Sequence, residues 1–297
     1  MDRRALLVFA VSRAGRCGPK TNAKYKMTVK NDALDALRRE IDEIDTALHG
    51  LLMRRAEVVE NVGRVKGRSN TAVFAPGREA MVLRKLLARH DGKFPRQSLL
   101  RIWREMIPAY ASMQAPLPVA VYASPDNQRC WDLARDHFGS HVPMTCSDDA
   151  ATIIERVSSG QDAVGVLPAP AVGDDAWWRL LCDKDRPCVV SSLPFALGGN
   201  AQSGPGDAYA IACITPDASG DDLSLVCFSA SDDAAAKAAL AAAGFTGHCL
   251  ASDGDTHHLA EVDGFLTTAD ERLAALDEVC LIGVYAAPAG DITGKSA

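Results

Sequence analysis

A long amphipathic helix is the feature that most restricts the fold of this chain. Its apolar residues recur at alternating three- and four-residue steps, at Leu34, Leu37, Ile41, Ile44, Leu48, Leu51, Val58, Val62 and Val65. We expect a helix of roughly 33 residues, about 50 Å long, with Asp32 as its N-cap and a break at residues 67–70. A small globular domain cannot cover so long a stripe, so other helices, most simply those of a second copy, must pack on it.

Two shorter helices are predicted after this one. Pro76 suits the first turn of a helix that runs to about His90. A third helix starts near Pro95 and contains Pro108, which should kink it or end its regular part. Residues 115–118 (APLP) are predicted to be a linker. The sequence therefore predicts an all-α three-helix domain over residues 31–114.

Beyond the linker, short strands alternate with helices, which indicates an α/β region over residues 118–214. The order of elements over residues 221–288 is βαββαβ, the pattern of a ferredoxin-like module, with its last helix at 271–276. Trp177 and Trp178 are predicted to lie in the core or at an interface, and His257 and His258 to form a surface pair. The fold class is thus multidomain, with a helical domain followed by an α/β region that ends in a ferredoxin-like module.

Charge and cysteine usage limit the possible partners. The net charge of −6 conceals a basic first third and an acidic remainder. This distribution favours an anionic ligand for the helical part and argues against nucleic acid. No segment approaches the roughly 20 apolar residues of a membrane-spanning helix. The nine cysteines form no CxxC pair, which predicts reduced thiols and a cytoplasmic location.

Residues 1–30 form a basic N-terminal extension. Its apolar run, residues 6–11, is short for a signal peptide and is followed at once by arginines. A second methionine, Met27, directly precedes the patterned helix. We expect this extension to be disordered or not translated.

Arg55 is a charged residue on the apolar face of the long helix. Residues 34, 41, 48, 55 and 62 share one heptad position, and Arg55 is the only charge among them. It either extends its head to solvent, pairs with a buried Glu, or meets an anionic ligand. Lys66 lies 11 residues later, about 16 Å along the axis and about 20° away in rotation, so the two cations can converge on one small ligand.

Arg38 precedes Arg55 by 17 residues, or about 25 Å of helix, so one small ligand cannot touch both from one straight helix. If both serve one site, Arg38 comes from a partner chain in a two-fold dimer with two composite sites. Arg78 and Glu79 near the start of the second helix, and Gln114 at the end of the third, add a cation, a carboxylate and a neutral donor. Individually, each is as well explained by an ordinary helix end.

Several motifs in order resemble the helical chorismate mutases. They are residues 37–45 (LRREIDEID), 51–59 (LLMRRAEVV), 62–66 (VGRVK), 74–80 (FAPGREA) and 102–107 (IWREMI) leading to Gln114. The resemblance covers residues 32–114 and implies an intertwined helical dimer. Ala75 departs from the pattern, because some members have an Asp there; we expect altered tuning rather than loss of activity.

The resemblance implies rearrangement of chorismate to prephenate, with no cofactor and no metal. It assigns Arg55 and the partner's Arg38 to the two substrate carboxylates, and Lys66 and Gln114 to the ether oxygen that gains negative charge. Glu79 would accept a hydrogen bond from the substrate hydroxyl, with Arg78 beside it.

The remainder resembles the dehydratase and amino-acid-sensing ACT parts of bacterial chorismate mutase/prephenate dehydratase fusions, through residues 118–122, 164–168 and 281–285. The dehydratase Thr-Arg-Phe motif has no counterpart; Ala208-Tyr209-Ala210 is the nearest segment. The sensing motifs of the ACT part are missing too, with residues 231–233 (SDD) and 251–253 (ASD) in their places. We therefore interpret residues 118–214 as a degenerate dehydratase-like region and 221–288 as a degenerate ACT-like module. We expect these regions to have a structural or interaction role, with an amino-acid effector or a pathway enzyme as the candidate partner. Two alternatives are a working bifunctional mutase/dehydratase and a non-catalytic regulatory protein built on the helical dimer.

Overall fold

A computed structural model describes residues 21–66, 74–170, 176–183, 185–196, 207–254 and 256–290. The expectations for residues 1–20 and for the break at 67–70 lie outside the described residues. The chain divides into two compact units, Met1–Glu57 and Val58–Ala297. Within the described ranges, no helix is both long and apolar enough to cross a bilayer.

Helix α1 spans Thr21–Lys66. The predicted helix is confirmed, but it starts earlier than expected: Asp32 lies inside it rather than at its N-cap, and residues 21–30 are helical rather than disordered. Every side chain from residue 31 to residue 50 is exposed. The apolar residues of the stripe in this range are therefore exposed, from 46% for Leu34 to 57% for Leu37.

Helices α2 (Pro76–Arg89) and α3 (Arg96–Ser112) match their predicted bounds closely. Pro108 neither ends α3 nor lies at its surface: it is buried, and the helix continues for another turn. The two helices pack together through Leu83, Leu86 and Leu100, and Phe195 from the region after the linker joins this cluster.

The α/β region forms one nine-stranded sheet with the order β2-β1-β3-β5-β4-β9-β6-β8-β7. The strands are β1 (Val119–Tyr122), β2 (Met144–Ser147), β3 (Val164–Pro168), β4 (Cys188–Leu193), β5 (Ala208–Ala212), β6 (Asp222–Ser229), β7 (Gly247–Ser252), β8 (His257–Asp263) and β9 (Asp277–Ala286). The helices are α4 (Arg129–Phe138), α5 (Ala150–Ser158) and α6 (Asp233–Ala242), with a 3-10 helix at Trp177–Cys182. The sheet is mixed, since β1 pairs in parallel with β2 and β3, whereas β3 and β5 are antiparallel.

The last six predicted elements appear in order, with one correction. The second helix of the expected βαββαβ module, residues 271–276, is a five-residue 3-10 helix, Glu271–Ala275. The strand order β9-β6-β8-β7 is antiparallel throughout. Strand β9 also pairs in parallel with β4, so this module continues the sheet of the preceding region.

The segment predicted to be a linker packs into the core. Leu117 is 3% exposed and belongs to one cluster with Val119 and Phe138. Phe74, which precedes α2, lies in the same cluster, with its ring centroid 5.8 Å from that of Phe138. The residues on either side of α2 and α3 are therefore built into the α/β core.

Two side-chain predictions have different outcomes. Trp177 and Trp178 are buried, as expected. The predicted surface pair of histidines is wrong for His258, which is 3% exposed and lies near Phe228. His257 is more accessible and lies 3.2 Å from both Asp253 and Glu278.

Candidate functional site

Arg38 and Arg55 lie on α1 within the unit Met1–Glu57. Arg38 is exposed and forms an ion pair with Asp35 at 3.0 Å, one helical turn away. Such an exposed pair contributes little to stability, so the guanidinium can exchange Asp35 for another anion. Arg55 is half-buried. The helix runs unbroken through both residues, which keeps them about 25 Å apart along its axis.

Gln114 follows α3 and packs on the last turns of α1. A Cβ atom placed on Gly63 would lie 3.2 Å from both Cγ and Oε1 of Gln114. A side chain at position 63 would therefore require the Gln114 side chain to shift by a few tenths of an ångström. Lys66 is the last residue of α1, three positions after Gly63, although its side chain lies outside the described residues. The backbone thus brings Lys66 and Gln114 to the same end of α1.

Arg78 and Glu79, both in the first turn of α2, have different environments. The Arg78 side chain is exposed. The Glu79 side chain is 12% exposed and accepts a hydrogen bond at 3.1 Å from Nη1 of Arg104, itself 10% exposed. Nε2 of His137 lies 3.4 Å from the same guanidinium nitrogen. Glu79 is therefore part of a buried polar cluster formed by α2, α3 and α4.

Burial dominates the electrostatics of this cluster. It raises the pKa of Glu79 to about 7, against the opposing charge of Arg104 and with help from nearby Asp217. Burial also lowers the pKa of Arg104, and together with the Arg104 charge it holds the pKa of His137 well below its ordinary value. His137 is consequently neutral and can accept a hydrogen bond from Arg104.

The cavity beside this cluster is too small for a metabolite. It has a volume of about 10 Å³ and is lined by Glu79, Arg104, His137, Ser191, Ser192, Phe195 and neighbouring apolar atoms. That volume is close to the space needed by one water molecule. Neither Arg78 nor Gln114 lines it. Within one chain, the structure thus joins Gln114 to the end of α1 but places Glu79 in a separate, closed cluster.

Sequence reasoning missed three members of this region. Arg104 had a detectable signal, because it shares the buried face of α3 with Leu100, Pro108 and Ala111 and is the only charge there. His137 and Asp217 had none: their partners lie 33 and 139 or 140 residues away in the chain. Among the described residues, no group of three or more His, Cys, Asp or Glu side chains is placed to hold a metal ion.

Comparison with known proteins places this region in context. A family model described as "Chorismate mutase type II" matches residues 37–115. The chain is 32% identical over 94 residues to the intracellular chorismate mutase of Mycolicibacterium smegmatis, covering 90% of that protein and 30% of this chain.

This chain matches a smaller share of its longer relatives. The chain is 30% identical over 141 residues to the bifunctional chorismate mutase/prephenate dehydratase of Aquifex aeolicus. This alignment covers 46% of this chain and 39% of the relative. The chain therefore matches only about two fifths of that protein. Among solved structures, the prephenate dehydratase of Streptococcus mutans aligns with 58% of this chain and 98% of its own, at a TM-score of 0.42 and 12% identity.

Proposed function

The chain belongs to the type II chorismate mutase family, and on that basis we propose that it rearranges chorismate to prephenate. The structural observation that carries this proposal is the packing of Gln114 against Gly63, one turn before Lys66. It brings the two residues proposed to stabilise the breaking ether bond to one end of α1. A helical scaffold without catalysis has no need for a polar side chain held against a glycine at this position.

The proposed chemistry requires no covalent intermediate and no cofactor. Arg55 of one chain binds one substrate carboxylate, and Arg38 of the partner subunit binds the other. The paired donors of each guanidinium group match a carboxylate. Lys66 and Gln114 donate hydrogen bonds to the ether oxygen, where negative charge develops in the transition state. The pocket also holds the substrate in a compact conformation that is ready to react.

Glu79 and Arg78 complete the proposed set. Glu79 accepts from the substrate hydroxyl, which requires its carboxylate to turn away from Arg104 or to be shared with it. The raised pKa of Glu79, about 7, means that ionisation of this group falls in the working range of a cytoplasmic enzyme. We therefore expect kcat/KM to rise with pH through about 7 as the acceptor form is populated.

A homodimer is proposed because α1 leaves its apolar stripe exposed. Leu34, Ile41 and Leu48 are about half exposed in a single chain, and Val58 and Val62 continue the stripe. A contiguous apolar face of this length is unfavourable in water unless another surface covers it. A second copy supplies the same stripe, and a two-fold arrangement brings its Arg38 to the site that contains Arg55.

Mixing two inactive variants tests this cross-chain arrangement. Arg38→Ala and Arg55→Ala each remove one arginine from both sites of a homodimer. In a heterodimer, one site keeps both arginines and the other loses both. Random subunit exchange should therefore restore about one quarter of wild-type turnover. No recovery, despite exchange demonstrated with differently tagged chains, would show that both arginines act from one chain.

For the α/β region, we propose a degenerate prephenate dehydratase-like domain over residues 118–214 and an ACT-like module over 221–288, neither of them catalytic. Tyr209 and its neighbours Ala208 and Ala210 are buried in β5, where the dehydratase motif would be expected. The order β9-β6-β8-β7 supports a ferredoxin-like module, in spite of its shortened second helix. The proposed partner of this region is an amino-acid effector or another enzyme of the pathway.

The assay that tests the function uses the purified full chain and chorismate. We expect chorismate to disappear and prephenate to accumulate. Absence of turnover would rule out the proposed activity and leave the non-catalytic helical dimer. Phenylpyruvate as the product would instead establish a bifunctional enzyme with a new dehydratase site.

A further inference from the structure

The first turn of α2 is capped by a residue from another part of the chain. Helix N-termini leave their first N–H groups without intrahelical partners. Ala75, at the N-cap position, supplies no side-chain acceptor. Instead, the carboxylate of Asp217 accepts from the N–H of Gly77 at 3.1 Å and from the N–H of Arg78 at 2.9 Å. A negative charge at this end of the helix is also favoured by the helix dipole.

Asp217 lies in a well-braced loop between β5 and β6, residues 213–221, which we name the capping loop. The carboxylate of Asp222 accepts from the N–H of Ser219 at 3.0 and 3.1 Å and from the N–H of Gly220 at 3.1 Å. Ser219 Oγ also donates to the Asp221 carbonyl at 3.0 Å. The Asp217 carboxylate is thus presented to α2 from a loop with its own fixed hydrogen bonds.

Helix α2 holds the capping loop at a second point. Arg84, about two turns after Gly77, donates to Ser219 Oγ at 2.8 Å and to the carbonyls of Asp221 at 2.7 Å and Ala287 at 2.6 Å. The two attachments lie on one side of α2 and fix both its rotation and its position along its axis. The helix cannot turn without breaking one of them.

The approach at the first attachment is as close as the backbone allows. A Cβ atom on Gly77 would lie 2.1 Å from the Asp217 carbonyl oxygen. Any side chain at this position must therefore push the capping loop away from α2. The glycine lets the cap reach Arg78 directly.

We propose that Asp217 is a positioning residue for the mutase site: by capping the first turn of α2, it sets the direction of Arg78 and Glu79. This inference rests on the proposed function. The residue it holds, Arg78, is hydrogen-bonded through its own N–H, and Glu79 follows immediately. The α/β region thereby takes part in mutase chemistry without containing a catalytic residue of its own.

Asp217 also acts on Glu79 through its charge. The charged or titratable groups that bear on Glu79 are Arg104 from α3, His137 from α4, which is neutral, and Asp217 from the capping loop. Removing the Asp217 charge should lower the pKa of Glu79. The pH at which kcat/KM rises should then move to a lower value, a change that a purely structural cap would not cause.

The experiment compares Asp217→Ala with Asp149→Ala in the full chain. Asp149 is the N-cap residue of α5 and accepts from the N–H groups of Ala151 and Thr152, and among the described residues it forms no hydrogen bond with α2. Both variants should lower the denaturant concentration at the unfolding midpoint to a similar extent, because each removes one capping carboxylate. Only Asp217→Ala should lose kcat, by about tenfold, because a small misplacement of catalytic groups is costly.

Two further variants keep the test decisive. Asp217→Asn retains one acceptor oxygen and removes the charge, so it should recover most of kcat while keeping the shifted pH profile. Gly77→Ala should reproduce the loss of kcat with Asp217 intact. It replaces Asp217→Ala as the test variant if Asp217→Ala does not fold. Equal kcat in Asp217→Ala and Asp149→Ala would overturn the inference. Absence of turnover in the wild-type chain would instead reject the proposed function, and this inference with it.

Discussion

Replacement of Arg55 by alanine is expected to lower kcat/KM for chorismate by about a thousandfold, or roughly 4 kcal/mol of transition-state stabilisation. The truncation removes both the positive charge and the paired donors that match a carboxylate, and no other side chain at this heptad position is charged. The measurement is steady-state chorismate consumption over a wide range of substrate concentrations.

The neighbouring Arg54 provides the control. It is exposed on the same helix, so Arg54→Ala changes the net charge equally, but it should alter kcat/KM by no more than about twofold. A similar loss in both variants would mean that the effect comes from the charge of α1 and not from a contact made by Arg55. An unchanged rate in Arg55→Ala would remove this residue from the proposed site.

Replacement of Arg104 by alanine is expected to destabilise the fold by about 3–5 kcal/mol, because it leaves the Glu79 carboxylate buried without its cation. The deficit should depend on pH. The pKa of Glu79 in the folded chain, about 7, is already above its ordinary value of 4.5, so its contribution to stability is fully present below 4.5 and is lost as pH rises through about 7. Removing Arg104 raises this pKa further. Chemical denaturation should therefore show a larger loss at pH 8 than at pH 5.

Arg101 and a double variant provide the comparisons. Arg101 precedes Arg104 by about one turn and pairs with Asp136 at the surface, with both side chains about 60% exposed. Arg101→Ala should therefore cost at most about 1 kcal/mol at either pH. The double variant Glu79→Leu, Arg104→Met should recover most of the stability, since it replaces the pair by apolar groups of similar size. A pH-independent loss in Arg104→Ala would indicate that the packing of Arg104 against Phe195, and not its charge, is what matters.

The helices and most strands were predictable because their signals are local. Proline at the first turn indicates the start of α2, and the heptad pattern of apolar residues predicts α1. The early start of α1 was not predictable from apolar periodicity, because residues 21–33 carry too few apolar side chains to continue the stripe. Strand β2 was not predicted for a similar reason: it has two exposed and two half-buried residues, and among the described strands it pairs with β1 alone.

The site was predictable only in part. Arg55 and Arg104 are both charges on otherwise apolar helix faces, and the same reasoning that identified the first applies to the second. What the sequence could not supply was the pairing of Glu79 with Arg104, or the cap from Asp217, since both depend on how distant segments meet. Gln114 was expected as a donor, but its contact with Gly63 depends on how two residues that are distant in the chain meet.

The burial of Phe74 and Leu117 decides where this chain can be cut. A truncation after residue 114, at the edge of the family match, would remove Phe138, whose ring contacts that of Phe74. It would also remove Leu117 and the strands that pack around Phe74 and Leu117. It would also delete Asp217 and the Arg84 acceptors Ser219, Asp221 and Ala287. The α/β region is therefore needed for the packing of α2 and α3, whether or not it has a chemistry of its own.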